Sequence, residues 1–335
     1  MRILVVGPQS PDSFARNISV TLRAMQHTVM DHELSRAYHL QNRFVRRFQT
    51  YAPLVFPSIE RRAYEKLITA VERAAFELLF FTYAIPPEVI DRLREISSAP
   101  MVCWFPDSLI NFYRGHMVAD RFDALFLKEP ALIGKLRQHL EINAHYLPEA
   151  CNPMWHTPVE LSDEDRQRYS CEIAGIGTLH YYRARVLEPL QQYDLKIWGS
   201  NRPRWLVSPV SRNYAGAAVV ELEKSKALRV AKIVVNVIHY SEIEGVNNSL
   251  FEIAGCGAFQ IASWQRSIPE IFDVGREIVT FESRSELLDK VRYYLAHQEE
   301  RNEIAYNGQQ RAHRDHTYEQ RLNTILRTVG LLKPV

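Results

Sequence analysis

The chain is expected to be an α/β protein of two Rossmann-like domains, and three observations carry that expectation. Short apolar runs alternate with helix-period segments from end to end, the pattern of parallel sheets with crossover helices. A strand, a glycine turn and a helix occur in each half, at Ile3–Gly7 and again at Ile173–Gly177. The length of 335 residues, 46% apolar, suits two packed cores at roughly 100–200 residues per domain.

The first apolar run, Ile3–Val6, stops at Gly7-Pro8, and Asp12-Ser13 offers a cap for a helix carrying Phe14, Ile18, Leu22 and Met25. After an irregular stretch, Tyr38–Arg62, come a helix near Ala63–Ala74, a strand at Leu78–Thr82 and a helix opened by Pro86-Pro87. Further strands are expected at Met101–Phe105, Ala124–Leu127 and His145–Leu147. Pro148–Ser170 has no sustained periodicity and reads as the interdomain connection.

The pattern restarts at Ile173–Ile176 with a helix over Tyr182–Gln192 and a strand at Leu195–Trp198. Strands at Ile233–Ile238, Phe259–Ala262 and Ile278–Phe281 follow, with a helix at Leu250–Gly255 and another at Ser285–His297 capped by Ser285. The last helical block, Arg301–Leu332, is interrupted near His316-Thr317. The expected domains are residues 1–153 and 154–316, with the terminal helix, 317–335, packing back on the first.

Composition excludes several classes. With 41 basic and 39 acidic side chains the net charge is +2, unlike a dedicated nucleic-acid binder. There is no apolar run of the roughly 18 residues a membrane span needs. The first apolar segment is too short for a signal peptide, so a cytoplasmic location is expected. Cys103, Cys151, Cys171 and Cys256 are far apart and form neither a zinc knuckle nor a disulfide framework.

The most informative segment runs from Glu244 through Gly245-Val246-Asn247-Asn248-Ser249 to Glu252 and on to Gly257. A loop turning into a helix gathers unpaired backbone N–H groups at the positive helix end, where an anion binds. Gly245 allows close backbone approach. The carboxylates of Glu244 and Glu252, with seven residues between them, suit the vicinal diol of a ribose or a hexose. The same two glutamates would equally serve only to cap and solvate a helix.

This segment resembles the E-x7-E signature of retaining glycosyltransferases with two facing Rossmann-like domains across a cleft, the GT-B fold. More closely it is similar to the CgeB-type glycosyltransferase-like family, named after a spore-maturation protein. Phe251-Glu252-Ile253-Ala254-Gly255-Cys256-Gly257, Ile271–Val279, Asn307–Arg311 and His316–Arg321 carry that resemblance. It implies transfer of a sugar from a nucleoside-diphosphate donor (UDP, GDP or dTDP) to a glycan, lipid-linked or protein acceptor in bacterial glycan or glycoconjugate synthesis. The donor is a substrate, and no separate cofactor is implied.

The resemblance assigns the ribose hydroxyls to Glu252 and the sugar's hydroxyls, close to the reacting centre, to Glu244. Gly245, Val246 and Asn247 would offer amides to the diphosphate, with Asn248 and Ser249 beside them. The turn at Gly177-Thr178 matches the place where the superfamily supplies a cation, here Arg183 or Arg185. The family usually has an arginine near Ser249, and this chain has none between the two glutamates. Arg183, Arg185, Lys232 or Arg266 must then meet the phosphate charge. On the acceptor side the candidates are Asp107, which follows the strand Met101–Phe105, with Gly7 and Asn17; a strand-end Asp also commonly caps the next helix. His116 and His239 lie near strand ends, where a lone histidine is more often structural.

No Asp-x-Asp or His-x3-His set suggests a metal, so arginines and helix N-termini would neutralise the leaving diphosphate, with turnover expected in a chelator. The basic and aromatic stretch Arg43–Arg62 fits contact with anionic lipid, or an irregular acceptor loop with solvated arginines. Two rivals share the cleft: a non-catalytic nucleotide-sugar or glycan binder, and a nucleotide-sugar epimerase.

Overall fold

The computed structural model describes residues 1–34, 57–108, 118, 121–199 and 207–333. Two compact units emerge, Met1–Leu147 together with Leu322–Val335, and Pro148–Arg321. Arg43–Phe56, His116 and Asn201–Leu206 lie outside the described residues, so the basic-aromatic stretch is described only from its Arg61-Arg62 end.

The first unit holds a six-stranded parallel sheet in the order β2-β1-β3-β4-β5-β6. The strands are β1 (Arg2–Val6), β2 (Thr28–His32), β3 (Leu78–Phe81), β4 (Met101–Phe105), β5 (Ala124–Leu127) and β6 (Ala144–Tyr146). In β3, β4 and β5 every residue is buried, as continuous apolar runs covered by helices on both faces must be. The covering helices are α1 (Phe14–Ala24), α2 (Pro57–Glu72), α3 (Pro87–Ile96) and α4 (Pro130–Leu140).

Two of these elements were not anticipated. β2 reads Thr-Val-Met-Asp-His and stays partly exposed at the sheet edge, where little apolar patterning is demanded. α4 is opened by Pro130 at its first turn and by the Glu129 carboxylate, which accepts from the Ala131 N–H at 3.3 Å.

The second unit contains another six-stranded parallel sheet, ordered β12-β11-β10-β7-β8-β9. Its strands are β7 (Ile173–Ile176), β8 (Leu195–Trp198), β9 (Tyr214–Gly216), β10 (Ile233–Asn236), β11 (Gln260–Ser263) and β12 (Val279–Phe281). The helices are α5 (Asp163–Tyr169), α6 (Tyr181–Leu187), α7 (Glu221–Val230), α8 (Asn248–Gly255), α9 (Ile268–Ile271), α10 (Arg284–Ala296), α11 (Gln298–Asp315) and α12 (Tyr318–Thr328). α12 begins in this unit, and its residues from Leu322 onward count with the first.

Strand order runs outward in both directions from the β7–β10 pair. That makes the carboxyl ends of β7 and β10 a topological switch point, where open α/β sheets leave a crevice. One core face gathers Ile173, Leu187, Ile197, Val235 and Ile261, and another Ala174, Trp198, Leu228 and Ile253.

Local capping departs from expectation at two helices. The stretch without periodicity contains α5, closed by a reciprocal capping box between Ser162 and Asp165. Ser283, rather than Ser285, caps α10, its Oγ accepting from the Glu286 N–H at 3.2 Å. No described helix is long and apolar enough to cross a membrane.

Candidate active site

The carboxyl end of β7 turns at Gly177, whose φ of +93° is strained for any other residue. A Cβ there would also meet the Arg183 Nη1 at 2.8 Å, and a Cβ on Gly199 would meet the Gly177 carbonyl oxygen at 2.1 Å. The glycines therefore let a guanidinium lie directly beneath the turn. Arg183 donates to the Thr178 carbonyl at 2.5 Å and to the Val237 carbonyl at 3.2 Å, tying the end of β7 to the end of β10.

Arg183 is 9% exposed, its Nε has no partner, and among the described residues no carboxylate faces it. Burial alone pulls its pKa down to about 10, which leaves it charged at neutral pH. An uncompensated buried cation at the switch point calls for an anionic ligand. Next to it His180 caps α6, its Nδ1 accepting from the Arg183 N–H at 3.3 Å. Burial first, then Arg183 and His239, push His180 down to about 4, so it is neutral and able to accept.

The loop after β10 is fixed from below. Val246 and Leu250 are fully buried with Phe251 and Phe272. Asn247 and Asn236 exchange two amide hydrogen bonds, at 2.9 and 3.0 Å, while Asn247 Oδ1 also caps α8 by accepting from the Leu250 N–H at 3.2 Å. The side chain of Asn247 is thus committed to the fold, and what it can offer a ligand is its backbone. Ser249 sits in the first turn of α8, where the helix dipole supplies positive potential in place of an arginine.

Glu252, one turn further, is 5% exposed and held in place by three groups. Asn248 donates to its Oε1 at 2.8 Å, Lys224 approaches Oε2 at 3.0 Å, and His156 lies 3.6 Å from Oε1. Glu244 is half-buried, and the exposed Arg266 pairs with it at 2.9 Å. The Ser267 N–H donates to the Glu244 carbonyl at 3.2 Å, which ties this loop to the one after β11.

Some expected residues fall elsewhere. Lys232 is a correction: it precedes β10 at the amino edge of the sheet and pairs with Glu172 at 3.4 Å, away from the crevice. Arg185 is on the exposed side of α6 and pairs with Glu188 at 2.6 Å, so Arg183 is the cation that the turn presents. His239 bonds the Ser241 hydroxyl at 2.7 Å and packs against His180, ring centroids 4.5 Å apart.

In the first unit Gly7 permits a close approach, since a Cβ would stand 2.1 Å from Thr82 Oγ1. Asn17 is fully buried, and its amide donates to the Ser13 carbonyl at 3.1 Å, so it shapes the loop rather than projecting from it. Asp107 is exposed just beyond β4. Sequence reasoning missed Lys224 and His156. Neither belongs to a local motif, and only the tertiary fold brings them to Glu252.

Residues 183–327 match the family model described as glycosyl transferase-like, a segment that includes Arg183, Glu244 and Glu252. No curated protein matches the chain. Among solved structures it is similar to the sucrose-phosphate synthase of Thermosynechococcus elongatus, at 12% identity over 98% of this chain and 99% of that one, with a TM-score of 0.72. It is also similar to Anabaena HepE in complex with UDP and glucose, at 13% identity, 99% and 100% coverage and a TM-score of 0.67. A glycosyltransferase from Rickettsia africae matches at 11% identity, 100% and 99% coverage and a TM-score of 0.67. The fold is GT-B. A glycosyl transferase-like segment, from α6 into α12, therefore sits on a GT-B fold, and the buried arginine and the two glutamates all belong to it.

Proposed function

We propose that the chain is a glycosyltransferase that takes its sugar from a nucleoside diphosphate, with retention at the anomeric carbon and no metal. The observation that carries this reading is Arg183, a buried cation without a carboxylate partner among the described residues, beneath a glycine turn at the carboxyl edge of β7. A diphosphate seated over Gly177-Thr178 and the first turn of α8 would meet that charge, the helix dipole and the loop amides. Glu252 would take the ribose diol and Glu244 the sugar hydroxyls. Lys224 would then be released from Glu252 toward the phosphates, supplying the positive charge that an arginine near Ser249 gives in CgeB-type proteins. UDP is the first donor class to test, because the Anabaena neighbour was solved with UDP and glucose.

Asp107 and the loop after Gly7 are proposed for the acceptor. Arg2, Arg62, Lys66 and Arg73 line a groove of about 730 Å³ in the first unit, which supports contact with an anionic lipid surface. Vesicles containing anionic lipid should float the protein at low salt and release it at high salt. Absence of flotation removes the membrane contact and leaves solvated arginines.

A thermal-shift screen against UDP-, GDP-, dTDP- and CMP-sugars in the presence of EDTA tests the central reading. A donor at 100 times its dissociation constant should add about 2.7 kcal/mol of stability. Glu252→Gln should lose most of the shift relative to its own unliganded melting temperature. If no nucleotide shifts melting, the donor assignment fails. Turnover that strictly requires manganese overturns the metal-free site.

A further inference from the structure

Beside the switch point the second unit has a half-open pocket of about 370 Å³ lined by Tyr182, His239, Tyr240 and Trp264, with Glu282 and Arg284 at its rim. The lining comes from four separate places: the start of α6, the loop after β10, the loop after β11 and the entry to α10. Such volumes are typical of small-molecule sites. Tyr182, Tyr240 and Trp264 remain 39%, 70% and 43% exposed, an unusual concentration of solvent-facing aromatic surface at one spot.

The rings are mutually braced. Tyr182 meets Tyr240 at 5.4 Å and 71°, Tyr240 lies 4.1 Å from His239, and His239 is nearly perpendicular to His180. Two tyrosine planes at a steep angle form a corner. A pyranose chair fits such a corner by laying the axial C–H groups of one face on one ring, whose face is negative, while its equatorial edge meets the other.

The rim completes the match. The Glu282 carboxylate has no partner among the described residues, and it can accept two vicinal hydroxyls. Among the described residues Arg284 reaches only Glu188, at 3.9 Å, and so keeps donors for ring or hydroxyl oxygens. The charges of Glu282 and Arg284 offset each other, which favours a neutral ligand over an anion.

We infer that this cavity is a binding subsite for a neutral pyranose ring, stacked on Tyr182, Tyr240 and Trp264 and hydrogen-bonded by Glu282 and Arg284. The inference deepens the transferase reading by naming the sugar class beside the diphosphate seat. It does not depend on turnover, since a saccharide binder would use the same surface. The ring could arrive as part of an acceptor or on the donor.

Saturation-transfer NMR on the full chain distinguishes these, using methyl α- and β-glycosides of glucose, galactose, mannose, N-acetylglucosamine and rhamnose. UDP-glucose and GDP-mannose are run beside their bare nucleotides. An acceptor ring predicts that at least one methyl glycoside binds without nucleotide, with transfer strongest at its axial protons. A donor ring predicts that a sugar nucleotide binds more tightly than its bare nucleotide. In either arm Tyr240→Ala and Trp264→Ala weaken the sugar-dependent binding about tenfold. Tyr240 is exposed, so Tyr240→Ala keeps the melting temperature of the unsubstituted chain, and loss of binding is not loss of fold. The inference is overturned if no glycoside binds and the sugar adds nothing to nucleotide binding. It is equally overturned if sugar binding survives both substitutions, or if Tyr240→Ala removes binding of the bare nucleotide, which would make the cavity a base pocket. Failure of the nucleotide screen with glycoside binding intact would count against the transferase reading alone.

Discussion

At the scale of single residues the site turns on how Arg183 is held. Its two hydrogen bonds go to backbone carbonyls, at Thr178 and Val237, so the full charge is left to act outward through the turn. Hydrogen bonds to charged groups contribute about 1.5–3 kcal/mol, or roughly tenfold to a hundredfold in affinity. Arg183→Met should therefore weaken UDP binding by that factor while leaving uridine, which has no phosphate, unchanged in calorimetric titration. Equal loss for both would mean that the substitution has disturbed the fold, and no loss for UDP would remove Arg183 from the diphosphate seat. Glu252 shows the opposite arrangement, a carboxylate already met by Asn248 and Lys224, with the His156 ring 3.6 Å away. A ligand diol must replace part of that shell, so Lys224 is expected to move when the nucleotide binds.

At the scale of elements, the loop from β10 into α8 depends on one asparagine pair. Asn236 is 2% exposed and has Asn247 as its amide partner, while Asn247 is also the N-cap of α8. Asn247→Ala should cost about 2–3 kcal/mol, combining a lost cap with a buried amide left unpaired. Asn247→Asp, which keeps the capping oxygen, should cost less in a denaturant melt. If the two variants are equally stable, the capping oxygen contributes nothing. Much of this organisation was legible beforehand. Central strands such as Leu78–Phe81 and Ile233–Asn236 announce themselves because burial on both faces forces an unbroken apolar run. Edge strands β2 and β9 escape notice because exposure relaxes that demand. The glycine turn and the glutamate pair were visible as local spacing. The choice of Arg183 over Arg185 was not, because it depends on which face of a two-turn helix looks into the sheet edge. Lys232 misled for a related reason: a cation beside a strand gives no indication of which end of the sheet it occupies.

At the scale of the whole molecule, the histidines set the response to acid. Every resolved histidine shift is downward: His27, His32 and His145 in the first unit, His180 and His316 in the second. Burial is the leading cause in each, followed at His316 by Arg321, and both His180 and His316 fall from 6.5 to about 4. A histidine depressed in the folded state binds its proton more readily once unfolded. Between the two pKa values the unfolded chain carries more protons, so stability rises with pH there. The contribution is complete above about pH 6.5 and is lost as the pH falls toward 4. Asp315 and Glu223, held low chiefly by hydrogen bonds from Arg314 and Lys226, lose their contributions in the same direction at lower pH. His316 donates to the Ile271 carbonyl at 2.9 Å and accepts from Arg321 at 2.9 Å, a pattern that a glutamine can reproduce without titrating. Chemical denaturation at pH 7.5, 6 and 5 should show a progressive loss of stability, and His316→Gln should flatten that slope. A stability that is level across this range, or a slope unchanged in the variant, would show that the buried imidazoles do not govern the acid limb.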